Sequence, residues 1–221
     1  MEAIGRAESF IYIETQFLRS PEIVRALCEA ARRSPDLRLV LLIPSAPQEV
    51  LFDDARDPAQ RHGEWLQLRG LDRLVGAFGD RFAAFSLINR RRRDSRDDRR
   101  TIGSHPVIYI HSKVCVVDHL EAIVSSANLN GRSLRWDTEA GVIWRDGDAV
   151  RAFEDRLWRR HLGAVFDGHD TTLPPKRLLD LWNAAGEESA PSDWPSFVAP
   201  YPLEESRFFA RRSWAVPDNL V

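Results

Sequence analysis

With 221 residues, 43% hydrophobic and 29% charged, the chain has the make-up of one large or one-and-a-half ordinary folded domains and enough length to bury a sizeable core. A net charge of −2 excludes any overall pull towards nucleic acid or anionic membrane, so such attraction has to be local. No apolar run is long enough to span a membrane, and Glu2 and Arg6 stand where an apolar leader would begin. The expectation is a chain with no signal peptide or transmembrane segment, whose location is open: cytoplasmic, or secreted if it belongs to a longer precursor. Cys28 and Cys115, the two cysteines, fall in apolar surroundings and read as buried structural thiols. The scattered histidines form no metal-ligand spacing, so no metal and no cofactor are expected.

In chain order, residues 2–8 read as the end of a short helix. Phe10 to Ile13 make a buried strand whose polar end, Glu14 to Gln16, emerges at one edge of a sheet, where ligands of open α/β folds gather. Ser20, Pro21 and Glu22 form a helix start, and Ile23, Val24, Leu27, Ala30 and Ala31 its apolar stripe as far as Arg33. Leu37 to Ile43 is apolar on both faces, which argues for a sheet covered by helices on both sides. Ser45 to Gln60, with the acidic pair Asp53-Asp54, reads as a loop. A helix over Glu64 to Phe78 follows, with Leu68, Leu71, Val75 and Phe78 on one side, then a strand from Arg81 to Ile88.

Asn89 to Ser104 reads as a loop. Between Arg90 and Arg100 it holds seven Arg against three Asp (Asp97 among them), a local charge of +4. A solvated, mobile flap is the plainer reading; the functional one is a basic flap that draws in phosphates. Beyond the central block, Asp148 to Leu162 is an amphipathic helix burying Val150, Phe153, Leu157 and His161, the last read as a packed or capping residue. After Gly163 a short helix over Lys176 to Ala185 gives way to Pro191, Pro195, Pro200 and Pro202 among scattered aromatics: an irregular aromatic- and Pro-rich tail strapped across the domain.

The central block, Val107 to Trp144, carries the chemistry. Apolar runs deliver His111, Ser112 and Lys113, then Asp118, then Ser125-Ser126-Ala127-Asn128. If Val107 to Lys113 is extended, His111 and Lys113 share a face and Ser112 points away. An ammonium, a hydroxyl and an amide (Lys113, Ser126, Asn128) suit the non-bridging oxygens of a phosphate, while His111 is placed to attack phosphorus or protonate a leaving oxygen. The spacing H-x-K, four residues, D, six residues, S-S-x-N resembles the HKD motif of the phospholipase D superfamily at His111, Lys113, Asp118, Ser126 and Asn128. Ser125 stands where the family usually has Gly. The segment from Ile11 to Phe17 similarly resembles the family's I-Y-I-E-N-Q-F, with Thr15 for Asn.

The resemblance implies a phosphodiesterase or phosphatidyltransferase that works through a phosphohistidine and needs two H-x-K motifs. None of the other five histidines begins an H-x-K. The chain therefore resembles the C-terminal half of a two-motif phospholipase D, and its partner is either a second copy in a homodimer or a missing N-terminal half. A phospholipid at a membrane surface is the implied substrate. The alternatives are a homodimeric nuclease, under which alone nucleic acid is a partner, and an inactive half with a binding or assembly role. In two-motif relatives the second-half histidine is the general acid, which would be His111; in a symmetric dimer it could play both parts. Glu139 is the candidate to accept the Nδ1 proton of His111, with Asp137 the runner-up. Asp118 reads as a structural ion pair or turn cap within the catalytic motif. Glu14, Gln16 and Arg132 are candidate pocket residues. The fold expected is α/β, a mixed, mostly parallel sheet flanked by helices on both faces, with residues 1–168 as catalytic half-domain and 169–221 as extension.

Overall fold

The computed structural model describes residues 1–52, 57–96, 98–187, 194–219 and 221; Asp53, Asp54, Asp97 and Pro191 lie outside the described residues. Its elements are α1 (Glu2–Arg6), β1 (Phe10–Glu14), α2 (Pro21–Arg33), β2 (Arg38–Leu42), α3 (Gln48–Phe52), α4 (Pro58–Phe78), β3 (Phe82–Ile88), β4 (Thr101–Ile102), β5 (His105–Ile108), β6 (Val114–Val117), β7 (Glu121–Ser125), α5 (Gly131–Arg135), β8 (Gly141–Trp144), α6 (Gly147–Leu162), α7 (Pro175–Gly186), β9 (Val198–Pro200) and α8 (Leu203–Phe209).

The strands form one sheet in the order β4-β5-β3-β2-β1-β6-β7-β8, with β9 also paired to β3. Side chains alternate across it. Ile11, Ile13, Leu39 and Leu41 join the core with α1, α2 and α4, while Phe10, Tyr12, Val40 and Leu42 join the core with α6 and α7. Both faces are thus covered, as the two-sided apolar strands require. The sheet is mixed, but it is not mostly parallel as expected. Parallel pairing is confined to β1–β2 and β2–β3, and every other described pair is antiparallel. The reason is connection length. α2 and α4 supply the long crossovers that parallel strands need, whereas β6 and β7 are joined by three residues, too few for a crossover.

Local chemistry sets several boundaries. Ser20 caps α2 by accepting from the Ile23 amide, with Pro21 at the first helical position. α4 starts earlier than its periodicity indicated, because Asp57 accepts from the amides of Ala59 and Gln60. The expected loop from Ser45 to Gln60 therefore contains α3 and the first turn of α4. Val75 turns out exposed; Leu74 takes the buried position. α6 buries Val150, Glu154, Trp158 and Leu162, one step round from the stripe read in the sequence.

Trp158 and Trp182 are fully buried and pack edge to face, ring centroids 5.5 Å apart, with Tyr12 against both and Phe85 against Trp182. Each tryptophan contributes roughly 3–5 kcal/mol by the usual cost of truncation to alanine. Residues 169–221 are less irregular than expected: α7 carries Trp182 into the core, and β9 joins the sheet. Gly163, at φ 58°, ends α6, and a Cβ there would come within 2.5 Å of the Trp194 carbonyl oxygen, so the returning chain seats against it. Phe208 and Trp214 are exposed, Phe208 packed edge to face on Phe209 and Trp214 under the Arg212 guanidinium.

The basic segment is not free either. Arg90 donates to the carbonyls of Ala185, Gly186 and Val198; Arg99 pairs with Glu64 and lies over the Phe209 ring; Arg96 and Arg100 pair with Asp94 and Asp98. Much of its charge holds the chain in place.

Candidate active site

β1 and β6 run antiparallel, with Glu14 opposite Val114, so the polar end of β1 and the residues entering β6 meet at one edge. His111, Ser112 and Lys113 lie between β5, which ends at Ile108, and β6, so they are not on the extended strand expected, and His111 is exposed while Lys113 is buried. Its ammonium donates to the His111 carbonyl at 2.7 Å and to Gln16 Oε1 at 3.3 Å, leaving one of its three N–H groups for a ligand. Burial lowers the Lys113 pKa, and the nearby Glu139 carboxylate works against that. Gln16 is fixed in turn by donating from Nε2 to the Tyr109 hydroxyl at 2.6 Å. The His111 ring is exposed and makes no hydrogen bond to a described residue.

The expected bond from His111 to Glu139 is not made. Glu139 lies just before β8, and its carboxylate accepts from the Ser126 hydroxyl. That bond, a second from Ser133 and the positive charge of Lys113 hold its pKa below the ordinary value. Asp137 pairs with Arg132 Nε at 3.1 Å, so neither carboxylate orients the imidazole. Arg132 is exposed; besides this pair, its charge helps to lower the Glu139 pKa. Asn128 has a buried Oδ1 with no partner among the described residues. Lys113, Ser125 and Glu139 are brought together through the β6–β7–β8 ladder, since the Ser125 amide donates to the Lys113 carbonyl and the Ser126 amide to that of Ala140.

Asp118 stands at the far end of β6, about 16 Å along the chain from Lys113 by strand geometry. Its carboxylate accepts from the amides of Glu8, Ser9 and Phe10 and from the Ser9 hydroxyl, all between 2.8 and 2.9 Å. It is a cap on the entry to β1, as its place at a strand end suggested.

One network was not read from the sequence. Glu14, buried, accepts from the Tyr12 hydroxyl at 2.8 Å, from Ser112 Oγ, and from His161 Nε2 at 3.2 Å. Burial raises its pKa, but these donors outweigh it and hold the carboxyl below the ordinary range. The residue between His111 and Lys113 is thereby tied through a carboxylate to α6. Tyr12 was findable, since it shares a strand face with Glu14. His161 is 147 positions away and carried only a helical-period signal. Among the described residues, no group of three or more His, Cys, Asp or Glu is placed to hold a metal ion, and no helix is long and apolar enough to cross a membrane.

Residues 1–161 match the family described as "Cardiolipin synthase, PLD-like domain". The chain belongs to this PLD-like family. Among curated relatives of the PLD-like chain, phospholipase D zeta 1 of Arabidopsis thaliana is 25% identical over 83% of this chain and 21% of its own length. Phospholipase D2 of Bos taurus is 28% identical over 66% of this chain and 18% of its own. The PLD-like chain thus spans about a fifth of the length of these relatives. In fold it is similar to the solved phosphatidylserine synthase of Haemophilus influenzae Rd KW20, with a TM-score of 0.50 and 15% identity over 82% of this chain and 40% of the other.

Proposed function

We propose that this PLD-like chain supplies one half of a phosphodiesterase centre that cleaves the headgroup phosphodiester of a phospholipid, or transfers the phosphatidyl group to an alcohol. The observation that carries the reading is the pairing of an exposed imidazole, free of protein partners among the described residues, with a buried ammonium whose remaining N–H is available. A lysine desolvated beside an exposed histidine is costly for stability and useful for holding a phosphate.

One imidazole cannot complete the reaction. The second comes from a partner subunit or from another half of a longer protein. Its nitrogen attacks phosphorus, forming an N–P bond as the P–O bond to the leaving group breaks, and His111 gives its proton to the departing oxygen. His111 then takes a proton from water or an acceptor alcohol, whose oxygen attacks phosphorus and breaks the N–P bond. Lys113 and Asn128 face the non-bridging oxygens, whereas Ser126, expected among the phosphate donors, gives its one hydroxyl proton to Glu139. In a symmetric dimer His111 fills both positions in turn. Partner pairing of most of the basic segment supports the lipid reading over the nuclease alternative, which would need that charge free.

The test is turnover of phosphatidylcholine, cardiolipin and DNA by purified protein, with oligomeric state measured by light scattering. Phospholipid cleavage abolished in His111→Ala supports the proposal. Cleavage of DNA alone supports the nuclease, and no turnover by a dimer with an intact His111 supports an inactive half.

A further inference from the structure

On the α1–α2 side of the sheet, next to Lys113, lies an apolar pit of about 180 Å³. Ile4, Ile13, Ile23, Cys115 and Ile123 line it, and Lys113 belongs to the same lining. The register explains the placement. Ile13, Cys115 and Ile123 sit side by side on β1, β6 and β7, and Lys113, the residue just before β6, lines the same pit. Cys115 keeps some exposure in the middle of the sheet because the pit reaches it. Tight packing leaves few such voids, and an apolar cavity of about 150 Å³ stays dry and takes up an apolar guest.

We propose that this pit binds the first methylenes of a phospholipid acyl chain, so that the lipid is held by its phosphate at Lys113 and by its chain beneath it. The inference rests on the phospholipid reading of the site and names which part of that substrate this half grips. A phosphate a few ångströms from an apolar recess matches an amphiphile, whereas a nucleic-acid backbone presents sugars and bases there and no alkyl group. The pit holds about six methylenes, taking each as near the volume of one liquid water, about 30 Å³.

The experiment measures binding apart from turnover. Glycerol 3-phosphate and phosphatidic acids with four-, six- and eight-carbon chains, below their micelle concentrations, are titrated calorimetrically into the intact chain. Affinity should rise roughly tenfold for each two carbons and level off at about six, as burial of successive methylenes ends. Leu134→Trp, at a half-exposed position in the lining, should remove the chain-length dependence and leave glycerol 3-phosphate binding unchanged. In the Cys28→Ser protein, where Cys115 is the remaining thiol, the six-carbon lipid should slow methylmercury labelling at least severalfold, an arm that holds even if the tryptophan variant does not fold. Equal affinity for glycerol 3-phosphate and the six-carbon lipid, with labelling unchanged, overturns the proposal. Turnover of bis(4-nitrophenyl) phosphate is followed in parallel. Chain-length-dependent binding by a dimer that shows no turnover upholds the pit and sinks the phosphodiesterase reading, while turnover without chain-length dependence sinks the pit alone.

Discussion

The four-residue strand β6 has a polar cluster at each end, and the two clusters are used in opposite ways. At its far end Asp118 and His119 both adopt positive φ, and their polar groups are directed at the protein itself. Asp118 takes four hydrogen bonds at the entry to β1. His119 stacks on Phe10, ring centroids 5.3 Å apart, and donates from Nδ1 to the buried Glu154 at 2.7 Å. At its near end Ser112 and Glu14 are likewise committed, but His111 faces solvent and Lys113 keeps one N–H in reserve. The same strand thus separates residues committed to holding the chain from residues left open to a ligand. Burial alone does not sort them, since Lys113 and His119 are both buried. Unused hydrogen-bonding capacity within reach of a ligand does: His119 Nε2 is also unpartnered among the described residues but is sealed in the core, whereas Lys113 lines an open pit.

That contrast can be broken by substitution. The largest expected effect is on chemistry: His111→Ala should lower phosphodiester turnover at least about a thousandfold, the scale of losing an acid–base or nucleophilic group, with Tm within a degree or two of the wild type. Wild-type turnover would remove His111 from the centre. Asp118→Ala should show the reverse profile. It strands three backbone donors and places alanine at φ 53°, costing about 3 kcal/mol, which for a chain of this length lowers Tm by about 6–12 °C. A smaller shift would mean that water replaces the carboxylate. Lys113→Met should weaken inorganic phosphate binding roughly tenfold to a hundredfold by isothermal titration, the scale of one charge-assisted contact.

The smallest effect sharpens the comparison within the near end. The folded-state pKa of Glu14 lies below its ordinary value, so the folded protein binds fewer protons there than the unfolded chain. Its stabilising contribution is complete above the ordinary glutamate pKa and is lost as pH falls through the lowered folded value. Glu14→Gln should flatten Tm against pH across that acidic window. An unchanged slope would show that other carboxylates govern acid unfolding.

What was legible followed from local rules. α2 was readable at both ends because Ser20, Pro21 and the apolar stripe are local signals, and the HKD spacing located His111, Lys113 and Asp118 because strand and turn lengths fix it. α4 was misread at its start because the Asp57 cap lay in a stretch dominated by loop-forming residues. The parallel share of the sheet was overestimated because a strand buried on both faces looks alike whichever way its neighbour runs.

By itself the amino-acid sequence determined the long helices and the central strands, the family resemblance, and the residues with the right functional groups for phosphoryl transfer, since periodicity and motif spacing are properties of neighbours along the chain. Only the tertiary structure decided how those groups are used: that Glu139 meets Ser126 and not His111, that Asp118 caps β1, that Glu14 joins Ser112 to His161, and that an apolar recess opens beside Lys113. The physical reason is that a hydrogen bond or a cavity is a relation between atoms brought together by packing, often a hundred residues apart, and no local pattern records which partner is reached first.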